Sequence, residues 1–418
     1  MPRPRKLRLL TLTNTFPPVA HGGYGEICGD VSIGLARRGH DVTVLTGREQ
    51  ADTGDGSETG RLVVRRELDL LQSPWRHPLE SLRVAERTEA TARSALAAGV
   101  DVALIWHMRG VLKPSLRLLH DAGVPVVYML HDRWVLYERA GAFALPIYKL
   151  DRLGLTHARN ALASPVAARV ELRAPPIADD GIVCFVSGWL RDEHARLGWR
   201  AADSHVIPAG VDLERFDTDE SQEPGRPATR LLYAGRVHPT KGLDTLVEAL
   251  PGVSDAVRLT VVGHADDAAY LTRVRERAVT LGVDGRIDWR GEVSRQEMPG
   301  LLREHHVFVY PSVGPESGWL GVLEGLAAGT IVVTSATGAP QELVEDGVNA
   351  LCFETSDAVQ LAAVIERVVT DAALRARLRR GARKTAQKHT LEAMVGSIEA
   401  LVVEATHNAA LSESRASS

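Results

Sequence analysis

Short apolar runs recur along nearly the whole chain, each followed by a stretch of helical period, and this alternation restricts the fold more than any other feature. The runs LLTLT at 9–13, VTVLT at 42–46, VALIW at 102–106 and VVYML at 126–130 are too short for buried helices, so they read as strands. Strand, helix, strand is the pattern of βαβ units, and it predicts parallel sheets with right-handed crossovers. A helix is expected at 26–38, ended by Gly39, and further strands at 182–186 and 205–207. The alternation breaks once. Residues 217–229, DTDESQEPGRPAT, are polar and carry two prolines and a glycine, which reads as a linker.

The pattern then restarts. Strands are expected at 230–233, 258–262, 286–289, 307–310, 330–334 and 350–353, with helices at 243–250, 268–281, 321–328, 357–370 and 372–388. Two α/β domains follow: residues 1–212, and residues 213–390. A helix at about 391–406 is able to pack back on the first domain, and the small polar tail 407–418 is expected to be disordered. Loops 49–80 and 132–150 read as variable segments that meet an acceptor. Ligands of such sheets sit at the carboxyl ends of the strands, so two ligand-binding edges are expected to face each other.

Charge and cysteine usage exclude several classes. Lys plus Arg is 49 against 53 Asp plus Glu, a net charge of −4, without the basic surplus of a nucleic-acid-binding chain. Cys28, Cys184 and Cys352 are far apart and lack metal-ligand spacing, so neither a disulfide framework nor a zinc site is expected, and a reducing compartment is. Lys6 and Arg8 interrupt the first apolar run, which reads as a strand and not as a secretory signal. No run approaches the roughly 20 apolar residues that span a bilayer. A soluble, cytoplasmic protein is the expectation.

Chemistry concentrates in two segments of the second half, YAGRVHPTKG and YPSVGPESGWLGVLEGLAAG. Arg236 and Lys241 follow a strand end in a loop that opens a helix, where two fixed cations suit a diphosphate, although exposed loop cations would look the same. Glu316 follows the 307–310 strand, and Glu324 lies eight residues on, inside the next helix. Between them Gly318, Trp319 and Leu320 lead into a helix N-terminus with free N–H groups. A carboxylate at Glu324 suits a vicinal diol such as a ribose, and a charge inside the apolar run GVLEGLAAG needs a partner.

Three other patterns compete. Residues 23–29, GYGEICG, look like a dinucleotide fingerprint, but 16–21 separate them from the strand, so Gly22 and Gly23 are read as letting backbone N–H groups approach a phosphate or acceptor. Asp217-Thr218-Asp219 looks like a metal-binding D-x-D, yet it falls in the linker. Lys149, Arg152, His157 and Arg159 form a basic cluster that suits a solvated helix face or peripheral membrane contact. His131 and His107 each follow an apolar strand at its ligand-binding edge, and His21 lies in the glycine-rich loop.

In sum these residues resemble family-4 glycosyltransferases of the GT-B fold. The resemblance runs through Gly235, Arg236, Lys241 and Gly242, the E-x7-E pair Glu316 and Glu324, and Val262-Gly263 and Pro311-Ser312. It continues through Gly338, Glu342, Pro17-Pro18, Gly22-Gly23, Glu26, His131-Asp132, Ser187 and Gly210-Val211-Asp212. It implies two Rossmann-like domains with parallel sheets facing an interdomain cleft, a nucleotide-sugar co-substrate, no cofactor and no metal. It also implies retention of anomeric configuration, with a lipid, polysaccharide or secondary-metabolite acceptor.

On this resemblance the catalytic set is Glu316, His131, Arg236 and Lys241. The donor-binding set is Gly22, Gly23, Arg236, Lys241, Gly318, Trp319, Leu320 and Glu324. Trp319 stands where the family usually has a glycine beside the donor, and it supports an alternative reading as a catalytically silent nucleotide-sugar binder. A nucleotide-sugar epimerase is the other alternative.

Overall fold

The computed structural model describes residues 5–18, 22–48, 60–70, 78–111, 114–139, 181–216 and 229–416. His21, Asp217, Asp219 and the basic cluster at 149–159 lie outside the described residues. The described chain forms two compact units. Unit 1 takes residues up to Val186, Leu190–Ile207 and the chain from Met394; unit 2 takes Ser187–Trp189 and Pro208–Ala393.

Unit 1 is built on strands β1 (Arg8–Thr13), β2 (Asp41–Gly47), β3 (Leu62–Leu68), β4 (Val102–His107), β5 (Val126–Leu130), β6 (Ile182–Phe185) and β7 (Ser204–Val206). They form one parallel sheet in the order β3-β2-β1-β4-β5-β6-β7. Strands β4 and β5 are buried along their full length, as a sheet covered by helices on both faces requires. Strand β3 lies inside the segment expected to be a loop. Its sequence LVVRREL hides the strand because this edge position carries Arg65, Arg66 and Glu67. Helices Pro78–Ala97 and Trp134–Arg139 likewise occupy segments the apolar pattern did not mark.

The last helix, Leu391–Ala416, runs through most of the tail expected to be disordered. Its Glu399 accepts from Arg38 at 2.6 Å and pairs with His40 Nε2 at 2.9 Å. His40 is 1% exposed and its Nδ1 accepts from the Leu7 N–H, so the proton is on Nε2 and is donated to Glu399. Such a bond holds this helix to the start of β1 and the turn before β2.

Unit 2 repeats the plan with β8 (Arg230–Ala234), β9 (Arg258–Val262), β10 (Ile287–Gly291), β11 (Val307–Tyr310), β12 (Ile331–Thr334) and β13 (Leu351–Cys352). The parallel order is β10-β9-β8-β11-β12-β13. Alternate residues feed two cores. Leu231, Tyr233, Val307 and Val309 join the cluster under helices Leu243–Ala249, Ala268–Thr280 and Ala358–Thr370. Leu232, Phe308 and Val332 join the one under helix Leu320–Ala327. In each sheet the strand order reverses once, between β1 and β4 and between β8 and β11. Those switch points open a crevice at the carboxyl ends of the strands.

Candidate active site

At the switch point of unit 2, the loop after β8 carries Arg236 and Lys241, and the loop after β11 carries Ser312 and Glu316. Two glycines let the backbones meet there. Gly242, at φ +66°, has no room for a Cβ, which would lie 2.0 Å from the Pro311 carbonyl oxygen. Gly263, at φ +142°, would set one 1.8 Å from the Gly235 carbonyl oxygen. The Thr240 carbonyl then accepts from Val313 N–H at 2.9 Å and Gly314 N–H at 3.0 Å, lacing the two loops together.

Within that frame Lys241 Nζ lies 2.5 Å from Glu316 Oε1, and the Ser312 hydroxyl donates to the same oxygen at 2.5 Å. Both charged side chains are about 15% exposed, so each depends on the other for compensation. The backbone of Glu316 is pinned as well: its N–H donates to the Thr337 carbonyl, and its carbonyl accepts from Ala339 N–H at 2.8 Å. Lys241 also lies 5.8 Å above the Tyr310 ring, whose phenol burial holds neutral, well above its ordinary pKa. Arg236 takes the outer position, half exposed, with Nη1 on Asp266 at 2.9 Å. The structure therefore brings Lys241 and Glu316 into contact and sets Arg236 on the same edge.

Glu324 is half-buried in the helix Leu320–Ala327, among buried Val322, Leu323 and Leu326. This helix begins after Trp319, with no side chain capping its N–H groups. Trp319 itself requires a correction. Its indole is 3% exposed and packs in the core with Phe216, Leu323 and Leu343, edge-on to His389. A side chain of that size adds apolar burial under the helix instead of lining a ligand site.

At the switch point of unit 1 the structure assembles a polar cluster of which the sequence marked only part. His131 follows β5 and stacks on Trp106, ring centroids 5.0 Å apart; burial lowers its pKa to about 4 despite the nearby Asp132, so the ring is neutral. His107 ends β4 and faces Asp132, Nε2 to Oδ2, at 3.1 Å. Its Nδ1 accepts from Arg109 N–H, so Nε2 carries the proton and donates to the carboxylate. Burial pushes the Asp132 pKa up, but the bonds from His107 and from Trp134 N–H outweigh it and keep it below its ordinary value. Tyr24 stacks on His107 at 4.7 Å and donates to Asn14 at 3.1 Å. Gly22, at φ +81°, starts the helix Gly23–Arg37, which no side chain caps.

Sequence reasoning missed Ser312 as the holder of Glu316, Asp266 as the partner of Arg236, and the His107–Asp132 bond. The last two pair across 30 and 25 residues, which no sequence spacing shows; Ser312 is only 4 residues from Glu316, within a loop whose turn no periodicity reveals. Glu342 was noted without a role. It accepts from the Gly188 and Trp189 N–H groups and so caps the helix Gly188–Arg196. Among the described residues no group of His, Cys, Asp or Glu is placed to hold a metal ion, and no helix is long and apolar enough to cross a membrane.

Residues 215–385 match the family described as "Glycosyl transferases group 1", and residues 21–215 match "Glycosyltransferase Family 4". The D-inositol 3-phosphate glycosyltransferase of Geodermatophilus obscurus is 28% identical over 449 residues, 99% of this chain and 94% of that protein. Glycogen synthase of Mycobacterium tuberculosis is 27% identical, covering 90% of each chain. A second D-inositol 3-phosphate glycosyltransferase, from Xylanimonas cellulosilytica, is 34% identical over 197 residues, 44% of this chain and 47% of that protein. Among solved structures, sucrose-phosphate synthase from Thermosynechococcus elongatus superposes with a TM-score of 0.70 at 19% identity, covering 95% of this chain and 98% of that one. Anabaena Alr3699/HepE in complex with UDP gives 0.68 at 21% identity, covering 94% and 98%.

Proposed function

The chain belongs to glycosyltransferase family 4 and has the GT-B fold, and from that premise we propose how its residues divide the transfer of a sugar from a nucleotide sugar to an acceptor hydroxyl. Lys241 and Arg236 hold the donor diphosphate, joined by the uncapped N–H groups at the start of helix Leu320–Ala327. Glu324, one turn into that helix, takes the ribose diol. Glu316 takes hydroxyls of the transferred sugar. The observation that carries this reading is the contact between Lys241 and Glu316, a cation and an anion side by side at the switch point. A ligand with a charged diphosphate and a hydroxyl-rich sugar matches both at once. UDP bound to the Anabaena protein supports a nucleoside diphosphate as the ligand type.

In the proposed reaction the bond from the anomeric carbon to the diphosphate breaks and the acceptor oxygen bonds to the same face. The acceptor proton passes to the leaving phosphate oxygen. Lys241, Arg236 and the helix N–H groups stabilise the diphosphate charge as it develops, the task a divalent ion performs elsewhere. Unit 1 is assigned the acceptor side, with His131 as a neutral hydrogen-bonding ring and Gly22-Gly23 as the backbone approach to a phosphate. The silent-binder alternative rested on Trp319, and burial of its indole removes that support.

A panel of nucleotide sugars, with release of nucleoside diphosphate as the readout, tests the reading. At least one donor should be slowly hydrolysed without acceptor by the unmodified chain and not by Lys241→Ala. A chain that binds a nucleoside diphosphate yet hydrolyses none of the donors would be a silent binder.

A further inference from the structure

One face of the unit 2 sheet ends in charge instead of hydrocarbon. Register places Arg230 beside Arg258, and Leu232 beside Thr260 beside Asp288, so all five side chains lie on one face. That face is apolar at Leu232, Phe308 and Val332, where helix Leu320–Ala327 covers it. Over the amino ends of β8 and β9 and along β10 it opens into a cleft of about 570 Å³ lined by Arg230, Arg258, Arg286, Arg290, Asp288 and Glu304. Charges on β10 protect a sheet edge, but β8 and β9 are inner strands, where edge protection gives no reason for exposed arginines.

The arginines are held from behind. Arg286 is spent on structure, donating to the carbonyls of Leu250, Val253, Ser254 and Val257. Arg230 donates through Nε to the Glu304 carbonyl at 2.5 Å, and Arg290 through Nε to Asp288 at 2.7 Å. Arg258 donates through Nη1 alone, to the carbonyls of Asp255 and Val257. Each of these three guanidiniums is thus fixed through one nitrogen, and all three line the cleft. Four cations against Asp288 and Glu304, and Asp255 at 3.4 Å from Arg286, leave the cleft positive by one. We propose that this cleft, which runs from the amino ends of β8 and β9 along β10, is a second oxyanion site, taking the terminal phosphate of a small phosphorylated molecule. His306, whose Nδ1 accepts from Arg230 N–H, has its pKa lowered to about 4, first by burial and then by Arg230 and neighbouring cations.

The five-residue strand β8 sets Arg230 and Arg258, at the amino ends of β8 and β9, roughly 13 Å from the edge that carries Arg236 and Lys241, while Arg290 stands near the carboxyl end of β10 and reaches back to Asp288. Phenylglyoxal footprinting of the unmodified chain reads each arginine separately, with inorganic tripolyphosphate, a hexose 6-phosphate, citrate and sodium chloride compared at equal ionic strength. The phosphates should slow modification of Arg258 and Arg290 several-fold. Protection by the sugar phosphate alone would identify a phosphorylated sugar, and equal protection by both a bare phosphate site. In calorimetry, Arg258→Gln with Arg290→Gln should weaken tripolyphosphate binding by about tenfold or more, as for lost charge-assisted bonds, in a background of Arg236→Ala and Lys241→Ala. Protection at Arg236 alone, equal protection by chloride, or protection by citrate only would overturn the proposal.

Discussion

On the proposed reading, Lys241 and Glu316 must part when a donor binds. Each neutralises the other in a nearly dry setting, so a donor diphosphate competes with Glu316 for the ammonium. Glu316→Gln should therefore leave nucleoside diphosphate affinity unchanged or tighter, while turnover falls roughly tenfold to a thousandfold, as for a lost positioning contact. Glu324→Gln should instead weaken donor and diphosphate alike, by about 1–2 kcal/mol, because both carry the ribose. Calorimetry beside steady-state kinetics separates the two, and a Glu316→Gln variant that lost diphosphate affinity but kept its turnover would reverse the assignment. His131 gives a pH signature. Its ring stays neutral in the fold down to a pKa of about 4, whereas an exposed histidine protonates near 6.5. The unfolded chain then binds more protons in that window, so stability falls as pH drops from about 6.5 to about 4. Denaturant midpoints at pH 7.5 and 5 should show a smaller loss for His131→Gln than for the unmodified chain; equal losses would remove His131 from the cause.

Elements were legible where hydrophobicity alone makes them. Strands β4 and β5, and β11 up to Tyr310, are buried and read directly, as do the positions of Arg236 and Lys241 after β8 and of Glu316 after β11. Strand β3 did not show, because an edge strand needs only Leu62 and Leu68 inside and here spends Arg65, Arg66 and Glu67 on charge. The tail after residue 406 continues as helix although its small polar residues carry no apolar signal. Trp319 is the informative miss: one sequence position cannot say whether a large ring faces a ligand or the core. Trp319→Ala should cost about 3–5 kcal/mol of stability, as for a vacated core site, with diphosphate affinity of the folded protein within about twofold. A stable variant with altered affinity would return Trp319 to the binding surface.

For the molecule as a whole, family and fold rest on matches that span both units, and the division of labour rests on the two switch points. On the proposal that Arg236, Lys241 and the helix start carry the diphosphate charge without an ion, excess EDTA should leave transfer activity intact. An activity that vanished with EDTA and returned with Mn²⁺ would show that the cations are insufficient. Calorimetry on Arg236→Ala and Lys241→Ala, with a nucleoside diphosphate and with its free nucleoside, bears most directly on the assignment of this edge to the donor. Each substitution should weaken diphosphate binding by about 1.5–3 kcal/mol and leave nucleoside binding nearly unchanged. Equal losses for diphosphate and nucleoside, or none for either, would contradict it.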